Sequence, residues 1–166
     1  MIYISHLFPD DQMEDLIRQS GMGVESIDFS IADNLDHFSE SIDVYREKLK
    51  KMGTKELILH GPFLDVNPAA YDRLVREVTM KRFDQCYQAG LLLGTRKIVF
   101  HSGMNPYVYY KQGWADQVSR FFSEFMDGRQ KLEIVLENVF DDDWEVFSQK
   151  SISVRTGQCY DLYQRI

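Results

Sequence analysis

Three side chains that can bind a metal ion each follow a short apolar segment of the chain. His60, His101 and Glu137 come directly after three consecutive apolar residues. Imidazole nitrogens and carboxylate oxygens are ligands of zinc, manganese and iron, and a set of three leaves room for water or substrate. A lone histidine at a strand end more often bonds a nearby backbone group. The coincidence of three such ends favours a metal site over that alternative.

The apolar segments before these residues predict the elements that position them. Short apolar runs bounded by turn residues are typical of strands buried on both faces, as in parallel sheets. Gly61 and Pro62 end the first run, and Gly103 follows the second. In α/β folds, ligand sites form where the C-terminal ends of such strands meet the following loops. The three side chains are therefore expected to converge at one end of a sheet.

Composition and charge limit the classes of protein that the chain can belong to. Its 166 residues, 44% of them hydrophobic, suffice for one core and are few for two domains. The formal charge of −7 and the absence of a basic stripe argue against a nucleic-acid partner. Two cysteines suggest neither a disulfide framework nor a metal pair. With no signal-peptide pattern and no apolar run of about 20 residues, we expect a cytoplasmic protein without membrane contact.

Strand and helix patterns alternate from the start of the chain to residue 147. A first strand ends before His6, and Pro9 opens a helix. Residues 24–30 alternate apolar and polar side chains, which predicts a strand. A helix is predicted over residues 70–92, and its buried side is expected to carry Leu74, Val75, Val78, Phe83, Cys86 and Tyr87.

The predicted strand-end loops carry further candidate substrate-binding residues. Asp65 and Asn67 follow His60, where they can bind substrate hydroxyls or shape a turn, and the sequence does not separate these roles. Tyr107 lies in an aromatic loop beyond His101 and can wall a polar pocket or pack on its own loop. His6 follows the first strand at the same expected edge. We expect these four residues to contact substrate.

Three motifs together resemble those of the xylose-isomerase-like TIM barrel superfamily: LHGPFLDVNP at 59–68, FHSG at 100–103 and LENVF at 136–140. That group contains sugar-phosphate isomerases and epimerases and the endonuclease IV type of apurinic endonuclease. The resemblance is closest to small bacterial proteins of both kinds and covers about residues 1–147.

The resemblance implies roles for the three strand-end side chains. His60 and His101 match histidines that the endonuclease branch uses as metal ligands. Glu137 matches a glutamate that ligates metal in both branches, and in the epimerase branch it can also move a proton next to a carbonyl. The implied cofactor is therefore a divalent metal, zinc or manganese, and Glu137 is the expected catalytic residue.

The implied fold is α/β, a partial (β/α)8 TIM barrel of about five parallel β/α units. A whole barrel takes eight strands and about 250 residues. We therefore expect a C-terminally truncated or frame-interrupted family member, with the partial barrel at residues 1–147 and an irregular, non-family tail at 148–166. Because open sheet edges tend to pair, a homodimer through the open edge is also expected.

The expected function is that of a metal-dependent isomerase or epimerase acting on a small sugar or sugar phosphate. The site would be incomplete, because the family supplies further ligands from later strands. One alternative is an endonuclease-IV-like phosphodiesterase that acts on damaged DNA. Another is a non-catalytic fragment or interaction module, which the irregular C-terminal sequence favours.

Overall fold

The structure is a computed structural model that describes residues 1–137 and 139–140, so the predicted tail at 148–166 lies outside it. Strands alternate with helices along this part of the chain. The strands are β1 (Tyr3–Ser5), β2 (Gly23–Ser26), β3 (Leu57–His60), β4 (Lys97–His101) and β5 (Glu133–Glu137). The helices are α1 (Asp10–Ser20), α2 (Ala32–Asp36), α3 (Phe38–Met52), α4 (Arg73–Leu93) and α5 (Lys111–Met126).

The five strands form one parallel sheet in the order β1-β2-β3-β4-β5. Parallel strands need a crossover between them, and helices supply it here, as in a (β/α) barrel. The strand order follows the chain order, which is the order of strands around such a barrel. The prediction of a partial barrel with five parallel strands is therefore confirmed, and the predicted helix after β5 lies outside the described residues.

The two faces of the sheet carry different side chains, because successive residues of a strand point to opposite sides. The face that packs against the helices includes Leu59, Phe100 and Leu136. On the opposite face, Ile58, Val99 and Val135 form a second buried cluster. We refer to the side of this second cluster as the inner face, since it corresponds to the interior of a closed barrel.

Aromatic packing fixes β4 against α4 and α5. Phe83 stacks on Phe100 with ring centroids 4.0 Å apart, and Phe121, Phe122 and Phe125 surround the pair. All five rings are at most 3% exposed. Aromatic pairs add to the energy of apolar burial. The cluster therefore holds in place the strand that ends at the second candidate metal ligand.

The strand predicted over residues 24–30 is wrong in its second half. β2 ends at Ser26, and a short 3-10 helix covers Asp28–Ser30. The Ser26 hydroxyl accepts a hydrogen bond from the Asp28 amide, which favours a turn. Phe29 then packs edge-on against Tyr45 at 5.7 Å between ring centroids. Alternation of apolar and polar residues did not distinguish this turn from an extended strand.

The prediction for the buried side of α4 is wrong at its N-terminal end. Leu74, Val75 and Val78 are 60%, 39% and 50% exposed, whereas Phe83 and Tyr87 are buried as predicted. A 21-residue helix is about 31 Å long, roughly twice the length of the short strands it covers. Its first turns therefore extend past the sheet.

In the part of the chain that the structure describes, no helix combines the length and apolar character that a membrane span requires.

Candidate metal centre

The three predicted ligands come from the ends of three adjacent strands and lie on the inner face. His60 is the register partner of Val99, and His101 is the partner of Glu137. His101 lies two residues beyond Val99 on the same strand, so its side chain points to the same side. The strand register therefore brings all three side chains together, as the sequence predicted.

The backbone at Gly61, directly after His60, lies close to β4. The Gly61 amide donates a hydrogen bond to the Val99 carbonyl at 2.7 Å. A Cβ atom at Gly61 would lie 2.1 Å from the Phe100 ring, so a larger residue would displace the aromatic cluster. Glycine at this position lets His60 remain in line with the end of β4.

Ligand atoms of the three side chains converge on one point. Glu137 Oε2 lies 3.3 Å from His60 Nε2 and 3.1 Å from His101 Nε2, and the two Nε2 atoms are 3.1 Å apart. Zinc–nitrogen and zinc–oxygen bonds of about 2.0–2.1 Å in a tetrahedral site separate the ligand atoms by about 3.3 Å. The residues therefore fit a divalent ion of that size, with one coordination position left for water or substrate.

His60 uses its Nδ1 atom for a hydrogen bond, which leaves Nε2 available to bind a metal ion. Nδ1 lies 2.8 Å from the Gly61 carbonyl oxygen, a partner that only accepts, so Nδ1 carries the proton and donates it. Ser30 donates a hydrogen bond to the His60 carbonyl at 2.9 Å and holds the backbone at that point. Contacts of this kind orient metal-binding histidines and set their tautomer.

Electrostatics at the centre favour an ionised carboxylate next to a protonated imidazole. Hydrogen bonds from His101 and then from His60 lower the pKa of Glu137 to about 2. Burial alone would lower the pKa of His60, but its hydrogen bonds to Glu137 and to the Gly61 carbonyl outweigh burial and raise that pKa. Without a metal, a proton thus stabilises the contact between the acid and the imidazole.

Zinc affinity should increase with pH, because a zinc ion competes with the proton on His60. Since the His60 pKa is raised above its usual 6.5, each pH unit below it should weaken binding by about tenfold per competing proton. Competition with a chelating dye at about pH 5.5 and 7.5 measures this. The His37→Ala variant, which changes an exposed histidine outside the centre, should behave like the parent protein. Affinity that is independent of pH would contradict binding through His60.

Phe63 is a component of the centre that sequence reasoning missed. Its ring stacks on His101 at 4.9 Å and meets His60 edge-on at 5.1 Å. The two imidazole rings are themselves nearly perpendicular, at 84°. Phe63 therefore packs against both imidazole rings, and the residue is 40% exposed to solvent. Its place in the loop directly after His60 was the available signal, since such loops build the site.

His6 lies outside the group of three ligands. Its Nε2 atom is 3.1 Å from Asp10 Oδ1, and its Nδ1 atom is 3.4 Å from the Tyr45 hydroxyl. Lys48 joins the same cluster, 3.4 Å from Asp10 and 3.1 Å from Asp28. These contacts occupy both ring nitrogens of a buried histidine. Its predicted contact with substrate stays a prediction.

The remaining predicted residues lie in the loops after β3 and β4. Asn67 accepts a hydrogen bond from the Ala69 amide at 2.8 Å and donates one to the Tyr109 hydroxyl at 2.9 Å, which is the geometry of a turn. Asp65 has a positive φ of 57°, and Tyr107 is 97% exposed. Direct contact of these residues with substrate stays a prediction.

A cavity of about 200 Å³ lies beside the centre, between the loops after β3, β4 and β5. His101 and Asn67 contribute polar atoms to its wall. Its apolar lining includes Phe63, Val66, Met104, Val139 and Phe140. The centre thus adjoins a small space whose wall carries both polar and apolar groups.

Solved structures provide the comparison, since no protein-family model and no curated protein matches this sequence. D-Psicose 3-epimerase in the presence of D-fructose superposes with a TM-score of 0.67 at 15% identity, over 93% of this chain and 60% of that one. The TTHB071 protein from Thermus thermophilus, soaked with ZnCl2, gives 0.62 at 20% identity, over 90% and 61%. Endonuclease IV from the same organism gives 0.60 at 13% identity, over 92% and 58%.

These similarities concern the fold, because at most one residue in five is identical. The chain spans about three fifths of the length of each of these three proteins. The parallel strand order and the superpositions agree with the resemblance of the three motifs. In the part that the structure describes, the chain has part of the fold of the xylose-isomerase-like TIM barrels, with five parallel strands and the four helical crossovers between them.

Proposed function

We propose that the chain is a metal-dependent isomerase or epimerase of a small sugar or sugar phosphate. The observation that carries this proposal is the convergence of His60, His101 and Glu137, whose candidate ligand atoms all lie within 4.8 Å of one another. Support comes from the fold shared with D-psicose 3-epimerase and with a protein that was soaked with ZnCl2. Zinc or manganese is the proposed ion.

The three residues would have different roles in such a site. A bound divalent ion would polarise a carbonyl oxygen and so ease removal of a proton from the neighbouring carbon. His60 and His101 would hold the ion as neutral ligands, and Glu137 would supply negative charge. The low pKa of Glu137 favours its role as a ligand, because a carboxylate that binds its proton so weakly is a weak base. Its second role as the proton carrier stays a prediction.

Proton exchange next to a carbonyl tests the proposal directly. The full chain, loaded with zinc or manganese, is incubated in D2O with ketoses and ketose phosphates, and NMR follows deuterium at the carbons beside the carbonyl. We expect metal-dependent exchange that a chelator abolishes and that the His60→Ala variant lacks. A metal-loaded protein that exchanges no member of the panel would contradict the proposal.

An endonuclease-IV-like activity is the second candidate. The superposition on endonuclease IV and the His–His–Glu group favour it. The net charge of −7 opposes it, since binding to the phosphate backbone draws its affinity from basic residues. Incision of a duplex containing an abasic site, in the presence of zinc, would reverse the order of the two candidates.

We also propose that two copies of the chain pair through their sheet edges. Among the described strands, β1 pairs only with β2 and β5 only with β4. Unpaired edges bind other strands readily, and homo-oligomers are mostly two-fold. Light scattering should therefore give about twice the chain mass of 19.5 kDa. A monomer with a well-dispersed NMR spectrum would contradict the pairing.

A further inference from the structure

Exposed apolar side chains are concentrated in the loops at the metal end of the sheet. Each of the five strands is followed by at least one large apolar residue that is 40% or more exposed. They are Leu7 and Phe8 after β1, Ile31 after β2, Phe63, Leu64 and Tyr71 after β3, Tyr107, Val108 and Tyr110 after β4, and Val139 and Phe140 after β5. Exposed apolar groups gathered at one end of a fold indicate a binding surface.

The wall of the cavity beside His101 includes several apolar side chains next to the proposed ligands. Phe63 and Phe140 both line it, together with Val66, Met104 and Val139. Its volume of about 200 Å³ is below the roughly 300–1,000 Å³ of pockets for drug-sized ligands. It therefore accepts one small group of a ligand rather than a whole molecule. Among the residues that line it there is no lysine, arginine, aspartate or glutamate to pair with a charged group of the ligand.

Basic side chains are absent from the strand-end loops that the structure describes. Proteins recognise phosphate with arginine, lysine or the free amides of a helix N-terminus. The loops contain no lysine or arginine, whereas three aspartates, Asp28, Asp65 and Asp72, lie within them. The loops cover residues 6–9, 27–31, 61–72, 102–110 and 139–140.

The other groups that bind phosphate are largely occupied at this end of the sheet. Lys48 is held by Asp28 at 3.1 Å. The Asp72 carboxylate accepts a hydrogen bond from the Leu74 amide at 2.7 Å and so caps the N-terminus of α4. The N-terminus of α5, at Lys111, has no side-chain cap. A phosphorylated substrate would have to use that helix end.

We propose that the substrate is an uncharged hydroxy-carbonyl compound with an apolar group at its non-reacting end. The hydroxy-carbonyl part faces His60, His101 and Glu137, and the apolar group enters the cavity lined by Phe63 and Phe140. This inference rests on the proposed function and narrows it, since it selects unphosphorylated substrates over sugar phosphates.

Two hydroxamates with the same metal-binding head test the inference by affinity rather than by activity. Benzohydroxamate carries an apolar ring, and phosphoglycolohydroxamate carries a phosphate. Calorimetry with the zinc-loaded full chain should give a Kd at least about tenfold lower for benzohydroxamate. The Phe140→Ala variant should lose most of this preference while its zinc affinity stays unchanged. The Leu74→Ala variant, which removes an exposed apolar side chain from α4, is the matched control and should keep the preference.

The outcomes separate the inference from the function on which it rests. Equal affinities, or tighter binding of the phosphorylated compound, would overturn the inference and leave a metal-dependent function standing. A preference that survives in Phe140→Ala would overturn the assignment of the cavity. Failure of both compounds to bind a zinc-loaded chain would overturn the proposed function and the inference together.

Discussion

Glu137→Gln is expected to reduce zinc affinity by at least about 100-fold. Changes in groups that only support a metal ligand cost about 10–100-fold, and here the anionic ligand itself is lost. Glutamine keeps nearly the same shape, so the change removes the charge that both imidazoles contact, at 3.1 and 3.3 Å. Competition with a zinc chelator measures the loss, and deuterium exchange into substrate should disappear with it.

Glu133→Gln is the matched control for this variant. Glu133 lies four residues earlier on β5, where its carboxylate contacts Lys97 at 3.2 Å. It belongs to the same strand and has a similar exposure, but it is absent from the candidate metal group. We expect its zinc affinity to match that of the parent protein. Equal losses in the two variants would show a general effect of charge rather than ligation.

Phe83→Ala should lower the free energy of unfolding by about 3–5 kcal/mol, the usual cost of removing a buried aromatic side chain. Phe83 is 1% exposed and contacts four other aromatic rings, so its removal leaves a cavity that rigid neighbours cannot fill. Because many domains are stable by only about 5–15 kcal/mol, this is a large fraction of the total. Urea denaturation followed by circular dichroism measures the change.

Tyr107→Ala provides the control for the aromatic core. The Tyr107 side chain is 97% exposed, so the same truncation removes almost no buried surface. A change within about 0.5 kcal/mol is expected. A loss at Phe83 no larger than that at Tyr107 would contradict the view that the aromatic cluster fixes β4.

The sequence alone was sufficient to predict the parallel strands and the convergence of their end residues. His60, His101 and Glu137 each close an apolar run, and a parallel sheet places such ends at one edge. That inference needs only the chain order and the alternation of side chains. Distances of 3.1–3.3 Å between the ligand atoms required the register of the strands as well.

Features that depend on tertiary contacts could not be predicted in this way. Phe63 contributes to the centre because its ring reaches two histidines from different strands. The turn at Asp28 depends on a Ser26 hydroxyl and on the packing of Phe29. In each case the local pattern fits more than one conformation, and packing against distant residues selects between them.

His60 and Glu137 meet across the strand that separates them. β3 and β5 are not neighbours, yet their end residues approach to 3.3 Å over the tip of β4. An ion coordinated there would link the end of β3 to the end of β5. It would therefore stabilise the curvature of the sheet and oppose the separation of β5 from β4. Hydrogen–deuterium exchange of the β5 amides should accordingly slow when zinc is added, so that local unfolding of this strand reports on occupancy of the centre.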